Sequence, residues 1–409
     1  YDNYTNESKL YTWFPEPHYG KKVVSFSSKE NGAIYSTCES EKEMLEAFVS
    51  TMEEQDPDML IAWYGLQADI PKLFERLVEN GMDVNRLSPH DDVKGYNNGK
   101  LFNIDRFYKT EQPIRGRLTL NLDFAFERMW ADSQRGTLPS TALDYVGELL
   151  FKEGKKKESK FTDKNEFFRR GWLEDTQNYL EYNVQDVKLL RKIDEKMGLS
   201  ESILALQRLL IAPFDACFFV SHMASIYFMR NASWKAPTGK KDKDRKAYDG
   251  ALIYEPYEHN THGRWENVAA LDFASLYPSM MLARNISFET KSDDPTEFAV
   301  NLATPRDLSY SDKEIWRYYK TDKLGLLPKS VLELKALRDE YKKRMHEAET
   351  EEERQKWYNN QMAVKRLSAS FYGVLGLRGY GWADIDLAQS ITASAREALR
   401  KAAQVVEGI

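Results

Sequence analysis

The chain has 409 residues, enough for two or three separately packed units, and its 42% hydrophobic and 30% charged residues suit a water-facing globular protein. A formal net charge of −6 excludes a global attraction to nucleic acid, so any DNA site must be a local basic groove on an acidic surface. No apolar run is long enough for a membrane span, no secretory signal is legible, and Cys38 and Cys217 are too few and too far apart for a disulfide framework or zinc site. An intracellular protein without a membrane partner is the expectation. The chain opens on Tyr1 rather than Met and stops at Ile409 in a helical stretch, so it reads as a fragment of a longer protein.

In chain order, Lys22 to Ser27 and Ala33 to Thr37 read as a strand pair, Glu41 to Glu54 as a helix, and Met59 to Trp63 as a buried strand. Arg117 to Asp123 reads as a further strand and Thr176 to Met197 as a helix, which together predict an α/β layout. Two lysine-rich stretches, Lys152 to Lys160 and Lys235 to Lys246, read as solvated loops or as basic linkers resting on phosphate. Tyr248-Asp249-Gly250-Ala251-Leu252-Ile253 then reads as a turn entering a strand, a hinge between two regions. Beyond it, Asn267 to Leu271 is predicted to be a buried strand that delivers Asp272 to its C-terminal end. From Pro328 to about Leu375 the pattern is two helices, roughly Lys329 to Glu347 and Glu351 to Tyr372, joined by a short acidic turn into an antiparallel hairpin.

Three groups of residues carry chemistry. Asp272, at a strand end, can ligate Mg²⁺, an ion that shares oxygen ligands with substrate phosphates. The turn after it, Ser275-Leu276-Tyr277-Pro278-Ser279, can aim backbone N–H groups at a triphosphate while Tyr277 packs beneath a sugar. On the helix pair, Arg338 and Lys342 stand at i and i+4, and Lys365, Ala369 and Tyr372 at i, i+4 and i+7. An antiparallel arrangement brings three cations to one volume suited to a triphosphate, and Gly373 permits close approach near a base pair. In the N-terminal region Asp69 follows a strand across a Gly-containing turn, while Tyr182 and Asp186 share a helix face. Two such carboxylates with a Tyr to orient water suit two-metal phosphodiester hydrolysis. Asp123, ending its own strand, is assigned a structural role.

These segments resemble those of family B DNA polymerases. Asp272 to Ser279 resembles motif A, and Lys365-Arg366-Leu367-Ser368-Ala369-Ser370-Phe371-Tyr372-Gly373 resembles motif B, K-x-x-x-N-S-x-Y-G, with Ala369 where Asn is usual. Tyr248-Asp249-Gly250-Ala251 resembles the Y-x-G-G/A segment between the nuclease and polymerase domains, which makes Tyr248 and Gly250 DNA-binding candidates. Trp63 to Asp69 is similar to the second proofreading exonuclease motif, with Tyr64 and Ala68 where Asn and Phe are common, and Tyr182 to Asp186 is similar to the third. The D-x-E of the first exonuclease motif and the acidic pair of motif C are not found, and are expected just beyond the two ends.

The resemblance implies template-directed nucleotidyl transfer from dNTPs to a primer 3′-OH, with 3′-5′ proofreading in the full-length parent. It makes Asp272 a ligand of two Mg²⁺ ions, Asp69 and Asp186 the metal ligands of a second two-ion site, and Tyr277 the gate under the deoxyribose. Arg338, Lys342 and Lys365 become the triphosphate clamp, with Lys365 also assisting leaving-group protonation, and Tyr372 and Gly373 line the nascent base pair. Primer-template DNA, dNTPs and a sliding clamp or other replication proteins are the implied partners. The expected fold class is mixed α/β: an RNase-H-like exonuclease domain over 1–197, linker and partial palm over 198–327, a fingers hairpin over 328–375, and a return to the palm over 376–409. With each metal site short of carboxylates, these 409 residues alone are expected neither to polymerise nor to proofread efficiently. A split polymerase, a noncatalytic DNA-binding homologue and a stand-alone nuclease are the rival readings.

Overall fold

The computed structural model describes residues 8–9, 33–34, 38, 40–104, 107–132, 137–152, 160–161, 163–234, 250–252, 271–273, 275–303, 314–377 and 379–407. The chain divides into two compact units, Tyr1–Glu201 and Ser202–Ile409, each with its own mixture of helix and strand. The predicted strand Lys22 to Ser27 lies outside the described residues, as do 153–159 and 235–249, which hold most of both lysine-rich runs and Tyr248.

In the first unit β1 (Ser8–Lys9) pairs in parallel with β2 (Ala33–Ile34). Helix α1 (Glu41–Gln55) starts where the Ser40 side chain accepts the Glu43 N–H at 3.2 Å, and it stops at Asp56 in the left-handed region. Its Met44, Leu45, Val49 and Met52 form one buried face at helical spacing. Strand β3 (Met59–Ala62) leads to α2 (Asp69–Glu79), whose Ile70, Phe74 and Leu77 enter the same core. A short 3₁₀ turn, Val84–Leu87, precedes the small antiparallel hairpin of β4 (Tyr96–Asn97) and β5 (Lys100–Leu101).

Strand β6 (Leu118–Asn121) lies parallel to β3, Met59 opposite Leu118 and Ala62 opposite Asn121, so both strands end at the same edge. The strand expected through Asp123 is shorter, because α3 (Leu122–Asp132) begins at once and takes Asp123 into its first turn. An acid there suits the partial positive charge of a helix N-terminus. Buried Arg117 fastens this edge's opposite end, donating to the carbonyls of Leu87 (2.8 Å), Pro57 (2.7 Å) and Met52 (3.2 Å). The unit closes with α4 (Leu143–Phe151), α5 (Lys164–Glu174) and α6 (Thr176–Met197), the last matching its predicted span and ending at Gly198 in the left-handed region.

Helix α7 (Leu199–Leu210) carries the unit boundary, and α8 (Val220–Asn231) follows within the second unit. The predicted strand before Asp272 is not testable over 267–270, which lie outside the described residues, and Leu271, Asp272 and Phe273 are irregular. The turn expected at Leu276 to Ser279 is instead the first turn of α9 (Leu276–Ala283). Pro278 fits there because first-turn amides have no intrahelical acceptor.

Three short antiparallel strands then form one sheet, with β9 (Trp316–Tyr319) between β7 (Lys291–Ser292) and β8 (Phe298–Asn301). Helices α10 (Leu326–Glu347) and α11 (Glu351–Leu375) are the observed long pair, and α12 (Ile385–Glu407) ends the described chain. Tyr319 of β9, fully buried, donates its hydroxyl to Ser390 of α12 at 2.7 Å, which joins sheet to helix.

Candidate active site

The base of the long helix pair is set by a polar loop that carries no motif in the sequence. Asn285, at φ 49°, donates through Nδ2 to the carbonyls of Lys320 (2.7 Å) and Lys323 (2.9 Å) and accepts the Gly325 N–H at 2.9 Å. The next amides, Leu326 and Leu327, donate to Glu289 and to Ser287 Oγ, so the open N-terminus of α10 is capped from the loop after α9. Gly325 is obligatory here, since a Cβ would stand 2.4 Å from Ser287 Cβ. Its only sequence-level signal was a Gly at the edge of a helical run.

Within the pair, Arg338 Nε donates to Gln361 Oε1 at 3.1 Å and Tyr341 packs against Trp357 at 5.6 Å, a register that fixes antiparallel alignment. Val364, Leu367, Phe371, Val374 and Leu375 are buried, which turns Lys365, Ala369 and Gly373 outward to solvent. Neighbouring cations pair along the helix, Lys343 with Glu347 and Arg344 with Glu340, whereas Arg338, Lys342 and Lys365 have no acidic partner among the described residues. At 1.5 Å per residue the register spreads these three cations along roughly 12 Å of the helix axes, a row rather than a point.

Tyr277 of α9 and Tyr372 of α11 meet as a stacked pair, centroids 4.3 Å apart and planes at 29°. This contact joins the two motifs read separately from the sequence. Gly373 sits beside it in the helix, and a Cβ at that position would have nothing within 4 Å, so no neighbour in the protein demands its small size. Gly373 lies in the last turn of α11, where glycine is still disfavoured against alanine, and the open space beside it is available to a ligand. Ser275 caps α9 at φ 57°, a left-handed conformation that a serine adopts only under local constraint. Asp272 is exposed and engages no side chain among the described residues, and no group of three or more potential metal-ligating side chains occurs among them. One free carboxylate suits a hydrated Mg²⁺ drawing other ligands from water and phosphate, though it is no protein cage. Gly250 lies within the described residues and its carbonyl accepts from Arg396 Nη1 of α12 at 2.9 Å.

In the first unit Asp69 opens α2, as its strand–helix position led one to expect. It is exposed at the surface, yet partial desolvation raises its carboxyl above the ordinary value. It makes no hydrogen bond or ion pair with Tyr182 or Asp186 among the described residues. Tyr182 is buried in an aromatic cluster, 5.7 Å from Phe167 and 5.6 Å from Phe168, while Asp186 is half-buried one turn later on α6. Asp123 is almost fully buried, accepts the Tyr64 N–H at Oδ1 (3.1 Å), and is raised by desolvation against the lowering effect of that bond. The structural role assigned to it acquires a definite form here. Beside this loop a cavity of about 770 Å³ is lined by Tyr64, Gln67, Phe102, Phe107, Tyr108 and Lys109 among others.

Comparison with known proteins covers both units. Residues 217–409 match the family model described as DNA polymerase family B. The matched segment holds Asp272, the stacked tyrosines and the cationic row. Over 389 residues the chain is 26% identical to DNA polymerase 1 of Pyrococcus abyssi, covering 92% of this chain and 46% of that protein. It is 25% identical to the DNA polymerase delta catalytic subunit of Arabidopsis thaliana, covering 92% of this chain and 34% of that one. The chain therefore spans about half, or less, of the length of these curated relatives. The solved family B DNA polymerase of Pyrobaculum calidifontis shares the fold with a TM-score of 0.66 at 22% identity, over 92% of this chain and 47% of that one.

One backbone conformation in the first unit carries a cost. Tyr64 sits at φ 70°, a region that Asn adopts readily and an aromatic residue adopts only at a cost. Tyr64→Asn is expected to stabilise the first unit by about 1 kcal/mol. Urea denaturation measures this, and a lower midpoint for the variant would show that the half-exposed ring packs to greater advantage.

Proposed function

We propose that this chain forms the nucleotide-binding part of a DNA-directed DNA polymerase that joins a dNTP to a primer 3′-OH on a DNA template. The observation that carries the reading is the Tyr277–Tyr372 stack, which joins the helix after Asp272 to a helix pair on which Arg338, Lys342 and Lys365 have no acidic partner among the described residues. Arg338, Lys342 and Lys365 bind the triphosphate oxygens, and their spread along the helix pair lets each meet a different phosphate. The Leu276 and Tyr277 N–H groups at the start of α9 add donors at a helix N-terminus. Tyr277 supports the deoxyribose from below and Tyr372 presses on the base pair, with the open flank of Gly373 admitting its edge. Asp272 holds Mg²⁺, which when bound neutralises phosphate charge.

The first unit is proposed to serve 3′-5′ proofreading, with Asp69 and Asp186 as carboxylate ligands and Tyr182 orienting water. Primer-template DNA and dNTPs are the proposed partners; a clamp or other replication protein belongs to the same proposal. Support for the nuclease role rests on Asp69, an exposed residue at the start of α2, beyond the loop that follows β3, whose carboxyl partial desolvation raises above its ordinary value.

The test is a titration of the purified chain with dNTP and with the matching rNTP in the presence of Mg²⁺, followed by intrinsic tyrosine and tryptophan fluorescence. Saturable dNTP binding that perturbs the aromatic signal is expected, with the rNTP at least about tenfold weaker, as a ring packed against the sugar face discriminates by roughly 1.4 kcal/mol or more. Absence of saturable triphosphate binding would overturn the reading.

A further inference from the structure

We infer that Asp123 is a positioning residue for Asp69, acting through the backbone of the 63–68 loop, an inference that rests on the proposed nuclease role of Asp69. The loop crosses from β3 to α2 with little freedom. Gly65 is forced by close packing, a Cβ there falling 2.3 Å from Ala62 Cβ and 3.7 Å from Asp69 Oδ2. On either side of it two amides are held, one by the first turn of α3 and one by the end of β6: Tyr64 N–H by Asp123 Oδ1 and Leu66 N–H by Asn121 Oδ1, both at 3.1 Å. Asn121 also donates to Gln67 Oε1 at 2.6 Å, and Phe107 N–H closes the far side on the Leu66 carbonyl at 2.9 Å.

Asp69 follows directly, and the Ile70 N–H returns to the Gly65 carbonyl at 2.8 Å. Its carboxyl is therefore aimed by a turn whose amides are fixed from a neighbouring strand, as a metal-binding or water-activating group requires. Asp123 is the more exacting of the two anchors. It holds Tyr64, the residue kept at φ 70°, and its other oxygen, Oδ2, is buried without a hydrogen-bond partner among the described residues. Burying a carboxyl with one oxygen unsatisfied is unfavourable. Against that cost stands the bond to the Tyr64 N–H, which holds that residue in its left-handed conformation.

The measurement is amide hydrogen exchange at Tyr64 and Leu66 in the full chain, alongside Mn²⁺-induced paramagnetic broadening of residues 64–70. Asp123→Ala removes the acceptor and is expected to speed Tyr64 exchange about tenfold, the equivalent of one hydrogen bond of roughly 1.4 kcal/mol. It should weaken the Mn²⁺ effect near Asp69 by a similar factor. Asp123→Asn keeps an acceptor oxygen and should leave both readouts within about twofold, a rescue that loss of generic packing does not predict. If the alanine variant does not fold, Asp123→Ser, too short to reach Tyr64, takes its place under the same criteria. Unchanged Tyr64 protection in the truncated variant, or equal loss in the Asn variant, would overturn the inference. An Mn²⁺ effect absent from the parent, or untouched by Asp69→Asn, would instead overturn the nuclease reading, while Tyr64 exchange still decides the role of Asp123.

Discussion

Replacing Arg338, Lys342 and Lys365 together with alanine is expected to weaken dNTP binding roughly a thousandfold, each single replacement giving about tenfold. A charge-assisted bond to phosphate is worth about 1.5–3 kcal/mol, and partial exposure of these side chains puts each near the lower end of that range. The three stand about one helical turn apart, close enough that the single effects add only approximately. Salt supplies a second signature: parent affinity should fall as ionic strength rises, and the triple variant should lose most of that dependence. Lys343→Ala is the control, because Lys343 already pairs with Glu347 at 3.7 Å and should change affinity less than about twofold. Fluorescence titration at low and moderate salt reads all of these. A triple variant that binds like the parent, or a Lys343 variant that is equally damaged, would remove the cationic row from the nucleotide site.

That row was legible in the sequence because helical spacing is periodic: i and i+4 place Arg338 with Lys342, and i, i+4, i+7 place Lys365 with Ala369 and Tyr372. Thr176 to Met197 and the long helix pair were legible for the same reason, though Leu326 to Pro328 extended the first helix beyond its expected start. Other features depend on contacts between distant segments, which a single sequence does not encode in any local pattern. Asn285, Ser287 and Glu289 look like an ordinary polar loop until they are seen capping α10, some 40 residues on. Asp123 read as the end of a strand, yet its neighbour across 59 positions is the Tyr64 amide. Ser275 to Ser279 reads as a tight turn, whereas Pro278 in a first turn is compatible with helix, and α9 forms there. Stacking of Tyr277 on Tyr372 had no local signature at all; only the shared chemistry of the two motifs pointed to it.

Phe228→Ala should destabilise the second unit by about 4 kcal/mol, the ordinary cost of a large cavity at a buried aromatic. Phe228 is fully buried at the centre of an aromatic cluster, 4.9 Å from Phe371, 5.4 Å from Trp382 and 6.0 Å from Phe288. Those rings come from α8, α11, the loop after α9 and the segment before α12, so one side chain ties together the elements that carry both motifs. Phe371 is the buried neighbour of Tyr372: its packing decides which way the α11 face turns, and hence whether Tyr372 reaches Tyr277. Loss of the Phe228 ring is therefore expected to weaken dNTP binding as well, although its ring contacts among the described residues are with Tyr227, Phe288, Phe371 and Trp382, none of them assigned to the nucleotide. Phe228→Leu keeps most of the volume and should cost less than about 1.5 kcal/mol with affinity nearly intact. Because the chain has two units, the readout is the urea transition reported by near-ultraviolet circular dichroism together with the dNTP titration, rather than one melting temperature. Destabilisation below about 1 kcal/mol for the alanine variant would mean that the site collapses around the missing ring and that the cluster does not hold the two motifs in register.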